Sequence, residues 1–243
     1  MLRTCFVLLK LARTGSTSLG KALNTTVSFC RNEILNDWNP ATHGSSQAYI
    51  DHILSEAKTP IRGFTLNPLK RKGCGLDFWR FPDDDVDQRL VLLLLRDPWP
   101  TTISRLICRH FGVYPGSRDD ADAGAIRTSV DGGVHIDPAR FAAAYAKSQR
   151  SQENLRAFAL EYARRQAAAV CTITYENMFS VDPTDLVSLE QALGIDVDRR
   201  CLKPELKILP DNHAAFIVNY AELQRATAQL SQPTEIQSDT IES

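Results

Sequence analysis

Gly15, four further residues, Gly20 and Lys21 come one residue short of the phosphate-loop pattern G-x-x-x-x-G-K-[ST], because the next residue is Ala22. In ATP- and GTP-hydrolysing proteins a hydroxyl at that position holds Mg²⁺, and an acid at the end of a second strand supplies another contact. Here the apolar run Leu90 to Leu95 ends in Arg96, and Asp97 reads better as a helix cap. Both metal-handling groups are missing or reassigned, so the chemistry favoured is anion binding without a metal. The turn itself, Arg13-Thr14-Gly15-Ser16, lies between a strand ending near Ala12 and a helix beginning near Thr17. Such a junction gathers backbone N–H groups and a helix N-terminus at one point, which is an anion cradle. Leu19 and Leu23, four residues apart, would pack that helix on a sheet, leaving Gly20 and Lys21 one turn inside it. The plainer alternative is a strand-to-helix turn with hydroxyl caps.

The elements that must position this loop follow from five short apolar or β-branched runs: 5–11, 26–29, 61–66, 90–95 and 170–175. Leu90 to Leu95 shows no polar alternation, as expected of a strand buried on both faces of a parallel sheet. Three Asp-Pro pairs, Asp97-Pro98, Asp137-Pro138 and Asp182-Pro183, each fit an N-cap carboxylate followed by proline at the first helical position. They predict helices near 98–111, 138–168 and 183–193. The middle one carries a stripe of Phe141, Tyr145, Ser148, Leu155, Phe158, Ala159 and Tyr162. The Gly- and Asp-rich stretch 112–135 reads as a mobile loop over the site, and the polar C-terminus as a disordered tail over 229–243. The pattern is α/β: a single domain over 1–228, a parallel sheet flanked by helices, with a P-loop-like anion loop.

Composition narrows the class without choosing a ligand. With 243 residues, 43% hydrophobic and 23% charged, the chain is an ordinary globular one, and a formal charge of -1 gives no global pull toward nucleic acid or membrane. The run from Cys5 to Leu11 is too short to span a bilayer and is interrupted by Lys10. Six cysteines occur singly, without C-x-x-C or a His pair at ligand spacing, so reduced buried thiols in a cytoplasmic protein are expected.

Three segments together resemble the sulfotransferase superfamily, the enzymes that use 3'-phosphoadenosine 5'-phosphosulfate (PAPS). "LARTGSTSL", Leu11 to Leu19, is similar to its 5'-phosphosulfate loop, a basic residue followed by [ST]-G-[ST]-[ST]. "LLLRDPWPTTISRL", Leu93 to Leu106, is similar to its 3'-phosphate motif, a strand-terminal Arg and a Ser eight residues later, matched by Arg96 and Ser104. "TITYENMFSVDPTDLVSLEQALGI", Thr172 to Ile195, resembles the family's strand, Tyr-Glu step and following helix, and "FIVNYAELQRATAQL" more weakly resembles a C-terminal element of bacterial and Golgi-type carbohydrate enzymes.

The resemblance implies PAPS as the sulfuryl donor, no metal, and transfer to a hydroxyl, with a carbohydrate or glycolipid acceptor indicated by the branch. It puts Arg13 at the leaving phosphate, Thr14, Gly15, Ser16, Thr17 and Ser18 around the anion, and Arg96 with Ser104 on the 3'-phosphate. Arg13 as a locally paired surface guanidinium is the alternative. Arg105 either assists Ser104 or makes a surface salt bridge. An acceptor alcohol needs a base, and Glu33 is the candidate, since parallel strands deliver their carboxyl ends to the edge where the loop lies. The alternative is a solvated Glu33 paired with Arg31. His43, His52 and His110 follow no matching motif, and the basic turn Lys70-Arg71-Lys72 could dock an anionic acceptor or merely face solvent. Tyr175 ends its strand near the site by resemblance, and Lys203 and Lys207 are placed to close over the nucleotide. The C-terminal R-K-G of the cytosolic small-molecule enzymes is absent, which points to the carbohydrate-type branch. The few residues before the first strand leave no room for the anchor and stem of Golgi enzymes, so a soluble bacterial-type enzyme is expected. A nucleotide kinase using Gly15 to Lys21, or a non-catalytic nucleotide binder of the same fold, are the rival readings.

Overall fold

The computed structural model describes residues 2–69, 75–82, 86–110, 133–202, 212–228 and 230. The expectations for Lys70, Arg71, Lys72, Lys203, Lys207, most of the stretch 112–135 and nearly all of the C-terminal tail fall outside the described residues. The chain divides into two compact units, Met1–Thr101 with Gln149–Lys207, and Thr102–Ser148 with Ile208–Ser243.

The first unit contains the whole described sheet. Its strands are β1 (Thr4–Lys10), β2 (Ser28–Arg31), β3 (Ile61–Leu66), β4 (Gln88–Leu95) and β5 (Ala169–Thr174). They lie in the order β2-β3-β1-β4-β5, and every pairing is parallel. The expected parallel α/β sheet is thus present. β2 begins two residues later than the expected run 26–29, and β5 stops at Thr174, so that Tyr175 opens a helix instead of ending a strand.

Strand alternation sorts the core into two layers. On β1 and β4, Cys5, Val7, Leu9, Val91, Leu93 and Leu95 face one cluster, while Phe6, Leu8, Leu90, Leu92 and Leu94 face the other. The first is covered by Tyr49, Ile50 and Leu54 of α3 (Ser46–Glu56, which follows the short α2, Pro40–His43) and by Leu155, Ala159, Tyr162 and Ala163 of α5 (Pro138–Arg165). The second is covered by Leu19, Ala22 and Leu23 at α1 (Ser16–Ala22) and by Leu186, Leu189 and Leu193 of α7 (Thr184–Leu193). β1 and β4 are therefore buried on both faces, which is why neither alternates in sequence. Each fully buried leucine contributes about 1.5–3 kcal/mol, so Leu19 and Leu23 suffice to hold the seven-residue α1 against the sheet.

Two of the three Asp-Pro pairs cap helices as expected. Asp97 Oδ1 accepts from the Trp99 N–H (2.8 Å) at the start of α4 (Pro98–His110), and Asp137 Oδ1 accepts from Ala139 (2.8 Å) and Arg140 (3.3 Å) at the start of α5. The third departs from expectation: Pro183 occupies the cap of α7 without a side-chain hydrogen bond, and Asp182 is outside the helix. Asp185, in the first turn, instead accepts from the Thr174 N–H (2.7 Å) and hydroxyl (2.8 Å), tying α7 to the end of β5.

In the second unit Val134 and Ile217 form a parallel bridge, with Val134 N–H to Phe216 O at 2.7 Å. Asn219 brackets Ile136, its Oδ1 accepting from Ile136 N–H (3.1 Å) and its amide donating to Ile136 O (2.7 Å), just before α8 (Tyr220–Ala228). Among the described residues no helix is long and apolar enough to cross a membrane.

Candidate functional site

The register brings the carboxyl ends of β1, β3, β4 and β5 to one edge: Leu9 faces Leu66, Lys10 faces Leu94, and Leu95 faces Thr174. Whatever follows those strands shares that edge, and the loop after β1 is the anion loop expected from sequence. It is shaped by two left-handed residues, Arg13 (φ 71°) and Gly15 (φ 79°). Between them Thr14 is buried, its hydroxyl donating to Leu11 O at 3.0 Å, so this side chain braces the loop instead of lining it. Gly15 caps α1 and accepts from the N–H groups of Ser18 (3.1 Å) and Leu19 (3.2 Å). Ser16 and Ser18 are buried and Thr17 is exposed. Gly20 and Lys21 sit inside α1 as expected, and Lys21 is on its exposed face.

Only glycine fits at position 15. An added Cβ would lie 2.7 and 2.8 Å from Cδ2 and Cε2 of Tyr175, well inside contact distance. The Tyr175 ring covers the loop because β5 ends one residue earlier and α6 (Tyr175–Met178) turns it inward. The same ring carries the Arg96 guanidinium, 4.0 Å above its centroid.

Arg96 follows β4 and is held from several directions. Its Nη1 donates to Arg13 O at 2.7 Å, its carbonyl accepts from the Gln152 amide of α5, and the next residue's N–H donates to Glu176 Oε1 at 3.1 Å. The strand-terminal arginine thus reaches the loop directly, closing on the carbonyl of the other predicted cation. Ser104 lies further along α4, buried, within the second unit.

Glu33 is the third left-handed position of interest, at φ 49°. Its N–H donates to Thr65 Oγ1 (2.6 Å), and that hydroxyl donates to Asn32 Oδ1 (2.8 Å), so the end of β3 locks the backbone after β2. The pairing with Arg31 weighed from sequence is not what forms. Arg31 bonds Asp37 at 2.9 Å on the surface, and Glu33 pairs with Lys10, the last residue of β1 and buried at 5% exposure. Tyr175 is expected near the site by resemblance, but Lys10 and Gln152 carry no site expectation from the sequence. The one available signal was Lys10 itself, a charge closing an otherwise apolar strand.

His43 and His52 take local parts. His43 Nδ1 accepts from Asn39 N–H (3.1 Å), and His52 lies 3.6 Å from Glu56 on the exposed side of α3. The five described cysteines are free thiols. Burial pushes the Cys5 and Cys30 thiols up to about 12, which keeps both protonated and unreactive near neutral pH.

The edge therefore presents a loop carrying Arg13, the Arg96 guanidinium clamped to it, and the Glu33 carboxylate with its Lys10 partner. That set can hold a multiply charged anion and accept a proton beside it. No family model and no curated protein matches the chain. Among solved structures it is similar to a sulfotransferase from Alicyclobacillus acidocaldarius, at 16% identity and a TM-score of 0.44, over 93% of this chain and 96% of that one. It is also similar to the sulfotransferase domain from the curacin biosynthetic pathway, at 14% identity and a TM-score of 0.44, over 96% of this chain and 99% of that one.

Proposed function

We propose that this protein is a sulfotransferase that takes a sulfuryl group from PAPS and passes it to a hydroxyl of a carbohydrate or glycolipid acceptor. The observation that carries this reading is the backbone. Arg13 and Glu33 are two of the three non-glycine residues with positive φ among the described residues, and both stand at one edge of the sheet. A side chain in that region costs about 1–2 kcal/mol, and such strain gathers where geometry serves binding or catalysis.

The donor set fits the phosphosulfate: guanidinium groups, hydroxyls of Ser16, Thr17 and Ser18, and backbone N–H groups of a loop closed by Gly15. PAPS supplies an activated sulfuryl group and a phosphate leaving group. Arg13 meets the negative charge that gathers on the departing side, in a loop whose orientation is set beforehand by Arg96. Glu33 takes the proton of the acceptor hydroxyl onto a carboxylate oxygen and becomes a neutral acid. By the resemblance of their segment to the sulfotransferase 3'-phosphate motif, Arg96 and Ser104 select the nucleotide's extra phosphate. The kinase alternative is weakened by the exposed position of Lys21 and by Ala22, a buried residue without a hydroxyl.

Calorimetric titration with 3'-phosphoadenosine 5'-phosphate (PAP) and with ATP, each in Mg²⁺ and in EDTA, tests the reading. PAP binding that persists in EDTA and is lost in Arg96→Ala is the expected result. It licenses an acceptor screen with labelled PAPS and Glu33→Gln as the inactive control. ATP binding that requires Mg²⁺, without PAP binding, overturns the assignment.

A further inference from the structure

Lys10 has no part in the loop pattern, yet it is buried at the carboxyl end of β1 and ion-paired with Glu33. β3 separates the two strands that carry these residues, so the pair spans two strand spacings, about 10 Å, with an extended lysine and a glutamate. The level is right: Leu9 faces Leu66, Arg31 faces Phe64, and Glu33 is two residues beyond Arg31. Lys10 has the parity of Phe6 and Leu8, which places it on the face covered by α1, the helix that the anion loop opens.

A buried ammonium is costly unless a carboxylate meets it, so Lys10 specifies where the Glu33 side chain must point. The Glu33 backbone is already fixed by Thr65 and Asn32. Side chain and backbone are thus held by two different strands, and the carboxylate has little freedom to turn toward solvent.

We infer that Lys10 is the positioning residue of Glu33, a counter-ion that aims the carboxylate at the acceptor and leaves a net positive charge beside the anion loop once Glu33 is protonated. This rests on the sulfotransferase reading above. In the resting state the pair sums to zero. When Glu33 takes the acceptor's proton the pair becomes +1, because the O–H proton moves to the carboxylate and Lys10 keeps its own. The positive charge therefore appears as transfer proceeds, at the edge where Arg13 stands.

This charge logic separates positioning from mere packing through PAP affinity, which needs no turnover. Lys10→Met removes the positive charge of the pair and should weaken PAP binding about threefold to tenfold, whereas Glu33→Gln removes its negative charge and should tighten it by a similar factor. The double variant should return near wild type. A pair that only packs would weaken PAP binding in both single variants. In parallel, the unfolding equilibrium constant of the double variant should depart from the product of the singles by about fivefold. In turnover, Lys10→Met should lower kcat roughly tenfold to a hundredfold with little change in acceptor KM, and Lys10→Arg should recover most of it. Wild-type protein that binds no PAP sinks the sulfotransferase reading, and this role with it. Wild-type binding with both single variants weakened, or with additive stabilities, leaves that reading standing and overturns the role of Lys10.

Discussion

Gly15→Ala is the perturbation that probes the loop, its aromatic cover and its clamp together. The alanine must adopt φ near 79°, which costs about 1–2 kcal/mol for a residue with a Cβ. The new Cβ would stand 2.7 Å from the Tyr175 ring, where about 3.5–4.0 Å is comfortable, so the ring has to retreat by roughly 1 Å. Overpacking of this kind costs about 1–3 kcal/mol. The retreat also draws the ring from the guanidinium 4.0 Å above it, worth about 0.5–2 kcal/mol. Allowing for overlap between the last two, Gly15→Ala is predicted to destabilise by about 2–5 kcal/mol. In a Tyr175→Ala background only the backbone share should remain, about 1–2 kcal/mol. Urea unfolding of the four proteins in this cycle measures the difference. An identical cost of Gly15→Ala in both backgrounds would refute the contact as the cause, whatever its size.

Arg13→Gly should lie within about 1 kcal/mol of wild-type stability, since relief at φ 71° offsets the entropy of an added glycine, while sulfuryl transfer falls at least about a hundredfold. A large loss of stability in urea would contradict the strained assignment. Hydrogen bonds from Arg164 and Arg165 hold the Glu161 carboxyl down at about 2, below its ordinary 4.5. Its folded value is depressed, so its stabilisation is present above about pH 4.5 and is lost as pH falls toward 2. Glu161→Gln should therefore differ from wild type in thermal unfolding at pH 7 and converge with it at the acid end. A thiol reagent at pH 8 should label half-exposed Cys201 before Cys5 or Cys30, whose buried thiols sit at about 12 and should react only on unfolding. Mass mapping of Cys30 labelled in the native protein would contradict its burial.

The sequence by itself determined what local chemistry encodes. The unalternating Leu90 to Leu95 declared a strand buried on both faces, and Asp97 and Asp137 declared helix starts through their own side-chain caps. The turn at Arg13 to Ser16 and Glu33 could be nominated because position at a strand end is legible in a parallel sheet, while the roles of Arg13 to Ser18 and Arg96 came from the resemblance to sulfotransferases. Asp182-Pro183 misled because the Asp185 N–H in the first turn of that helix donates to Asn177 Oδ1 at 2.7 Å, an acceptor on a separate element that local order does not reveal. Only the tertiary structure decided who meets whom. Arg31 was the sequence neighbour offered to Glu33, yet the strand order β2-β3-β1 and the burial of Lys10 made the distant lysine its partner. Tyr175 acquired its two contacts in the same way, because register brought the end of β5 beside the end of β4 and over a glycine 160 residues earlier in the chain. Pairings of this kind depend on strand order and on the desolvation cost of a buried charge, and neither quantity is local to any stretch of the chain.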